Sequence, residues 1–147
     1  MKTKNKTIEI NSKEQFDIID LTDEIASFVN ESKIKNGLVN VQTLHTTTAI
    51  LVQEDEPLLL EDIKKTLERI APQSMDYNHD DFGKRTVNMC DDKCHNGHSH
   101  CKAVCLPISA TLNLIDGQIK LGTWQRIMFI ELDTARSRNI QIQILGE

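Results

Sequence analysis

The sequence predicts an α+β domain, a mainly antiparallel β-sandwich with two or three packed helices. Three observations predict it. Strand-like alternation stands at both ends of the chain, and helical periodicity is confined between them. The stretch from Ile108 onward reads as strand after strand. Within it, Asp116-Gly117 divides two alternating runs, a strong hairpin signal because such two-residue turns need positive φ at both positions.

Taken in order, Thr7 to Ile10 alternate as a strand, and Phe16 to Leu21 reads as its continuation. From Asp23 to Glu31, Ile25, Phe28 and Val29 recur at helical spacing; Thr22 or Asp20 is available as N-cap and Gly37 follows. Leu38 to Gln53 is rich in β-branched residues and reads as one or two strands. Pro57 opens a helix whose apolar stripe is Leu60, Ile63, Leu67 and Ile70, and Pro72 stops it. The chain then turns polar from Gln73 to Gly97, a loop of a length that in compact domains tends to carry function. Ser99 to Cys105 reads as a short helix. Two further strands, RIMFIELD and NIQIQILG, close the chain, the last with Ile140, Ile142 and Ile144 inward and Gln141 and Gln143 outward.

Composition bounds the function classes. The chain has 147 residues, 39% hydrophobic and 27% charged, which suits one globular domain spanning residues 1–147. Aromatics make up only 4%, so the core must be built from Ile, Leu and Val. The net charge of -5 and the lack of a clustered basic face argue against nucleic acid as a partner. No run of 18 apolar residues appears, and the opening MKTKNKTIEINSKEQF has no signal-peptide core, so no membrane association is expected and the protein reads as cytoplasmic. Four cysteines lie between Cys90 and Cys105 in the spacing C-x3-C-x6-C-x3-C. That spacing lacks the tight pairs of common zinc sites, so they are expected as reduced, individually placed thiols.

Histidines and acids supply the candidate chemistry. In His95-Asn96-Gly97-His98-Ser99-His100, an extended backbone would put His98 and His100 on one face, a start for a zinc-like cation. In a helix the same spacing splays them by about 200°, and only one would reach a site. His45 lies in a β-rich stretch, Glu54 begins an acidic run at a strand end, and His79 sits in the polar loop. Each alone is ordinary polarity. Trp124 is readable as a substrate platform or as a core residue. Arg136 and Lys102 are the cations best placed to meet a phosphate, Arg136 the better because of its planar fork.

Together these pieces resemble the YjbQ family over essentially the whole chain. The resemblance is carried by His45-Thr46-Thr47, Glu54-Asp55, Asp76-Tyr77-Asn78-His79, Asn96-Gly97-His98-Ser99-His100-Cys101-Lys102 and Leu121-Gly122-Thr123-Trp124-Gln125. Glu131-Leu132-Asp133, Arg136 and Arg138 follow. Four residues depart from the family pattern. Thr134-Ala135 stands where the family commonly has Gly-Pro, Pro107 where it favours Gly, and Asn113 where it favours Pro.

The resemblance implies a homotrimer with sites near subunit boundaries, and His45, His79 and His100 gathered around a divalent metal, zinc first and magnesium second. It implies a metal-dependent enzyme acting on a phosphorylated small molecule, with thiamine-phosphate synthase as the family's label. In that reading Glu54 and Arg136 are catalytic, while Trp124, Gln125, Lys102 and Arg136 bind substrate. The alternative is a non-catalytic trimer that binds a metal or a small molecule. A weaker third reading is a structural zinc loop held by Cys and His.

Overall fold

The structure is a computed structural model that describes residues 1–147. Eight strands and three helices follow in the order β1 (Lys2–Asn11), β2 (Ile18–Asp20), α1 (Thr22–Ser32), β3 (Gly37–Thr43), β4 (Thr48–Glu54), α2 (Pro57–Ile70), α3 (Gly97–Ala103), β5 (Ser109–Ile115), β6 (Gln118–Ile119), β7 (Gln125–Glu131) and β8 (Ser137–Gly146). A single 3₁₀ turn, Asn78–Asp80, interrupts the long loop.

The strands divide into two antiparallel sheets, one of five in the order β1-β8-β3-β5-β6 and one of three in the order β2-β7-β4. The expected α+β class and antiparallel layering are what the chain forms. Ile140, Ile142 and Ile144 are fully buried while Gln143 between them is exposed, as a period of two requires. Their inner face meets Ile50, Ile127 and Phe129 of the small sheet and Ile25, Phe28 and Val29 of α1. Each such buried branched side chain contributes on the order of 1.5–3 kcal/mol.

The small sheet is covered on its other face as well. Ala49, Leu51, Met128 and Ile130 pack with Leu67 of α2, with Leu60 and Ile63 alongside. A strand covered on both faces has no solvent side, so Ile127-Met128-Phe129-Ile130 reads as an unbroken apolar run.

Several expected boundaries change, each for a local reason. Phe16 to Leu21 does not continue β1: Phe16 turns with φ +61° and its N–H donates to the Glu131 carbonyl, which carries the chain into the other sheet. Leu38 to Gln53 is two strands, one in each sheet, with His45 in the connection. Lys33, with φ +61°, closes α1 rather than Gly37. Gly37 serves instead at a close strand approach, since a Cβ there would lie 2.0 Å from the Leu145 carbonyl oxygen. Ile70 falls outside the stripe of α2 and is 51% exposed. The run after Asp116-Gly117 pairs only over Gln118–Ile119, although the turn itself forms with φ +53° and +77°. Helix α3 begins at Gly97, not Ser99.

Candidate functional site

A cavity of about 780 Å³ opens where the β3–β4 turn, the long polar loop, α3 and the β7–β8 turn meet. Thr46 and Thr47 come from the first, His79 and Arg85 from the second, His100 from the third, and Asp133 and Arg136 from the fourth. Its wall carries five cations, Lys84, Arg85, Lys93, Arg136 and Arg138, against one carboxylate, Asp133. Lys84 is paired with Asp81, Arg136 with Asp92 and Asp133, and Arg138 with Glu131, so the excess positive charge that favours an anion comes from Arg85 and Lys93.

The loop is held to α3 by one carboxylate. Asp80 Oδ1 accepts the N–H groups of Asn96 (3.0 Å) and Gly97 (2.9 Å), which ties the 3₁₀ turn to the helix start. Gly97 is needed there, because a Cβ would meet the Tyr77 Cβ at 2.5 Å. This clamp sets His79 against His100, ring centroids 4.6 Å apart and edge to face. Burial and the neighbouring His79 hold His100 below the ordinary imidazole value, against the pull of Asp133. At neutral pH His100 is therefore uncharged and able to accept a proton.

Arg136 is held in place by its Nη2. Its Nη2 lies 3.3 Å from Asp133 Oδ2 and 3.5 Å from Asp92 Oδ2, and donates to Cys94 Sγ. Its Nε is buried without any partner. Behind it, Glu131 and Arg138 form a buried two-pronged ion pair, with Nε and Nη2 donating at 2.7 and 2.6 Å. Ser12 and the Asp133 N–H also donate to that carboxylate, and Arg138 reaches Thr47 Oγ1. Arg85 donates to the carbonyls of His79, Val87 and Asn88, so it braces the loop and leaves its charge unneutralised by any carboxylate.

The expected site residues divide into those gathered and those kept apart. His79, His100 and Arg136 share the cavity. His45 does not join the imidazole pair: its Nε2 accepts the Asn139 N–H at 2.8 Å, which turns the ring toward β8. No group of three His, Cys, Asp or Glu side chains is arranged to hold a metal ion, so a three-imidazole centre is not assembled within one chain. The helical form of the His98–His100 segment decides which histidine reaches the site. His98 is buried on the opposite side, where its Nδ1 accepts from Lys102 at 3.1 Å.

Lys102 is fully buried and cannot meet a substrate in the cavity. Its Nζ donates to the Ala71 carbonyl at 2.7 Å and pairs with Glu68 at 3.0 Å, fastening the end of α2 to α3. Glu54, Trp124 and Gln125 are also absent from the cavity. Glu54 pairs with Gln125 at one end of the β4–β7 ladder, while Thr48 and Glu131 mark the end beside the cavity. Six residues of strand, about 20 Å, separate the two ends. Trp124 is 71% exposed, and Gln125 Oε1 accepts the Gly122 N–H. All four cysteines are free.

Asp133, Arg85 and Asn96 enter the site without having been assigned roles from sequence. The Glu131–Arg138 pair did leave a trace, since Glu131 stands between Ile130 and Leu132 and Arg138 shares the alternating face of Ile140, Ile142 and Ile144, so each charge implies a buried partner.

Comparison with known proteins follows the whole fold. The family model described as UPF0047 protein YjbQ-like matches residues 6–147. A UPF0047 protein of Methanothermobacter thermautotrophicus is 35% identical over the full chain and 95% of its own length. One from Archaeoglobus fulgidus is 35% identical across 94% of this chain and 98% of its own. A crystal structure of a YbjQ-like protein of unknown function from Sulfolobus solfataricus superposes with a TM-score of 0.87 at 33% identity, covering 99% of both chains. A YjbQ/UPF0047 structure from Clostridium acetobutylicum gives 0.82 at 28% identity, covering 95% of this chain and 98% of its own.

Proposed function

This chain belongs to the UPF0047 YjbQ-like family, and we propose that its cavity binds a phosphorylated small molecule and acts on it. The observation that carries the reading is the Arg136 Nε, a buried donor without an acceptor at the edge of an anion-favouring pocket. A buried unpaired N–H costs about 1–3 kcal/mol, and a phosphate oxygen removes that cost with a charge-assisted bond. Arg85 and Lys93 add attraction, and the uncharged His100 supplies a proton acceptor beside the bound anion.

Two reactions suit such a site: condensation of a diphosphate-activated ring with a second phosphorylated ring, as the thiamine-phosphate synthase label says, and hydrolysis of a phosphate ester. In both, Arg136 orients the phosphate; in the condensation a ring nitrogen lone pair displaces diphosphate with no proton released, and in the hydrolysis His100 takes up the proton of the attacking water. The expected divalent metal finds two imidazoles and no third ligand within the chain, so no step is routed through it. No helix is long and apolar enough to cross a membrane. We retain the homotrimer as part of this reading.

Titration calorimetry with inorganic phosphate and pyrophosphate tests it. Arg136→Ala is expected to lose about 2–3 kcal/mol of affinity, and Arg136→Lys to recover only part because an ammonium lacks the planar fork. Equal affinities in wild type and Arg136→Ala overturn the reading.

A further inference from the structure

Two of the four free cysteines stand inside the site without a part in its chemistry. Cys90 and Cys94 line the cavity, whereas Cys101 and Cys105 are exposed and lie outside the lining. Both pairs have the same spacing, so only the backbone between them tells them apart. From Cys101 to Cys105 the chain keeps helical bonds, the Val104 N–H to the His100 carbonyl and the Cys105 N–H to the Lys102 carbonyl. From Cys90 to Cys94 it reverses. The Lys93 N–H donates to the Cys90 carbonyl at 3.1 Å, and Lys93 takes φ +43°, closing a turn over Asp91-Asp92. Such a turn keeps its first and fourth Cα within about 7 Å, and a left-handed residue at its close returns the next one toward the first. Cys94 is that next residue. A disulfide spans Cα separations of about 4.4–6.8 Å, the reach that such a turn provides.

Cys94 also touches Arg136. Its thiol donates to Asp92 Oδ2 at 2.8 Å, and its sulfur accepts from Arg136 Nη2 at 2.7 Å. Asp92 lies 3.5 Å from that nitrogen, farther than from the thiol. The S–H thus keeps Asp92 off the guanidinium. The bond to Asp92, then burial, raises Cys94 above the ordinary thiol value, so it stays protonated and keeps that contact. Cys90 is exposed and open to small reagents.

We propose that Cys90 and Cys94 are a reversible redox site: exchange with a small disulfide joins them, and the bond weakens the cavity's hold on an anion. The Cys90 thiolate attacks one sulfur of the small disulfide, forming a mixed disulfide and displacing one thiolate. Cys94 then attacks the Cys90 sulfur and displaces the second. The two displaced thiolates take up the two protons that Cys90 and Cys94 lose, so two protein thiols are oxidised and one small disulfide is reduced to two thiols. Asp92, left without an S–H to bind, pairs with Arg136 and competes there with the bound anion. Exposed disulfides of this kind are the labile ones, which suits a bond that is made and undone. The weakening rests on the cavity being an anion site; formation of the bond does not.

The experiment equilibrates the protein with oxidised and reduced glutathione in set ratios, alkylates the remaining thiols and maps the peptides by mass. Lys93 lies between the two cysteines, so tryptic cleavage after it leaves two peptides joined only by the disulfide. That linked pair is expected in wild type and equally in Cys101→Ser/Cys105→Ser. Pyrophosphate affinity should drop about tenfold on linking, as for the loss of one charge-assisted hydrogen bond, and return with dithiothreitol. Cys90→Ser should yield no linked pair and no drop at any ratio, because the protonated Cys94 is slow to exchange. A fully oxidised buffer that leaves the two unlinked, a linked protein of unchanged affinity, or a drop that persists in Cys90→Ser overturns the inference. A link formed in protein that binds no pyrophosphate in either state keeps the redox site and rejects the anion reading.

Discussion

His98 and His100, two residues apart, leave α3 on opposite sides. His98 turns inward to the Lys102 ammonium, and His100 turns into the cavity against His79. The splay is the helical one of about 100° per residue, and it separates a structural histidine from a functional one.

That separation predicts a pH dependence of stability. Burial first, then the Lys102 charge, holds His98 below its ordinary 6.5; burial and Arg138 lower His45, and burial and His79 lower His100. Below about 6.5 the unfolded chain therefore binds more protons than the folded one. Stability is complete above that pH and is lost progressively as pH falls toward the depressed folded values. Thermal unfolding between pH 8 and 5 should show Tm falling on the acid side. His98→Gln, which keeps a polar side chain without titrating, should flatten the slope. An acid limb unchanged in that variant would assign the effect elsewhere.

Lys102 is expected to matter for folding and not for ligand. Lys102→Ala leaves Glu68, the Ala71 carbonyl and His98 without their shared donor. Since Glu68 is 41% exposed and partly solvated, the loss should be about 2–3 kcal/mol, below the usual cost of breaking a fully buried pair. Urea unfolding measures it. Pyrophosphate affinity should stay at the wild-type value, whereas a selective loss of binding would return Lys102 to the site.

Glu131 and Arg138 make the more demanding pair, both nearly inaccessible to solvent. Glu131→Gln removes the counter-charge and leaves a buried guanidinium, so a destabilisation of about 3–5 kcal/mol is expected. A joint replacement by Glu131→Leu and Arg138→Met should cost less than the single change, because it buries no unpaired charge. Denaturant midpoints of wild type and the two variants decide it, and a joint replacement that costs more than Glu131→Gln would contradict the pairing argument.

The metal expectation is tested by its removal. Replacing all four free cysteines by serine should leave the Tm of the purified protein, and its response to a chelator, unchanged. A Tm drop on chelation that His100→Ala abolishes would place a metal at the imidazole pair. A drop abolished by the serine variant would place it at the cysteines.

The sequence by itself determined the α+β class, the bounds of α2, the Asp116-Gly117 turn and the alternation of β8. These follow from local causes: a helical period of 3.6, a strand period of two, a proline at a helix start and a turn that needs positive φ. It also marked His79, His100 and Arg136, but only through the order and spacing of the pieces that resemble the family, since each alone is ordinary polarity. Only the tertiary structure decided how β1 and β2, or β3 and β4, part into different sheets, since a strand's pattern shows which face is apolar but not what covers it. It likewise decided that Lys102 is an internal fastener and that His45 bonds to β8. The distance from Glu54 and Trp124 to the cavity is also its decision, because residues that look alike as polar letters are sorted by burial and by direction along a strand. Neither quantity is written in local spacing.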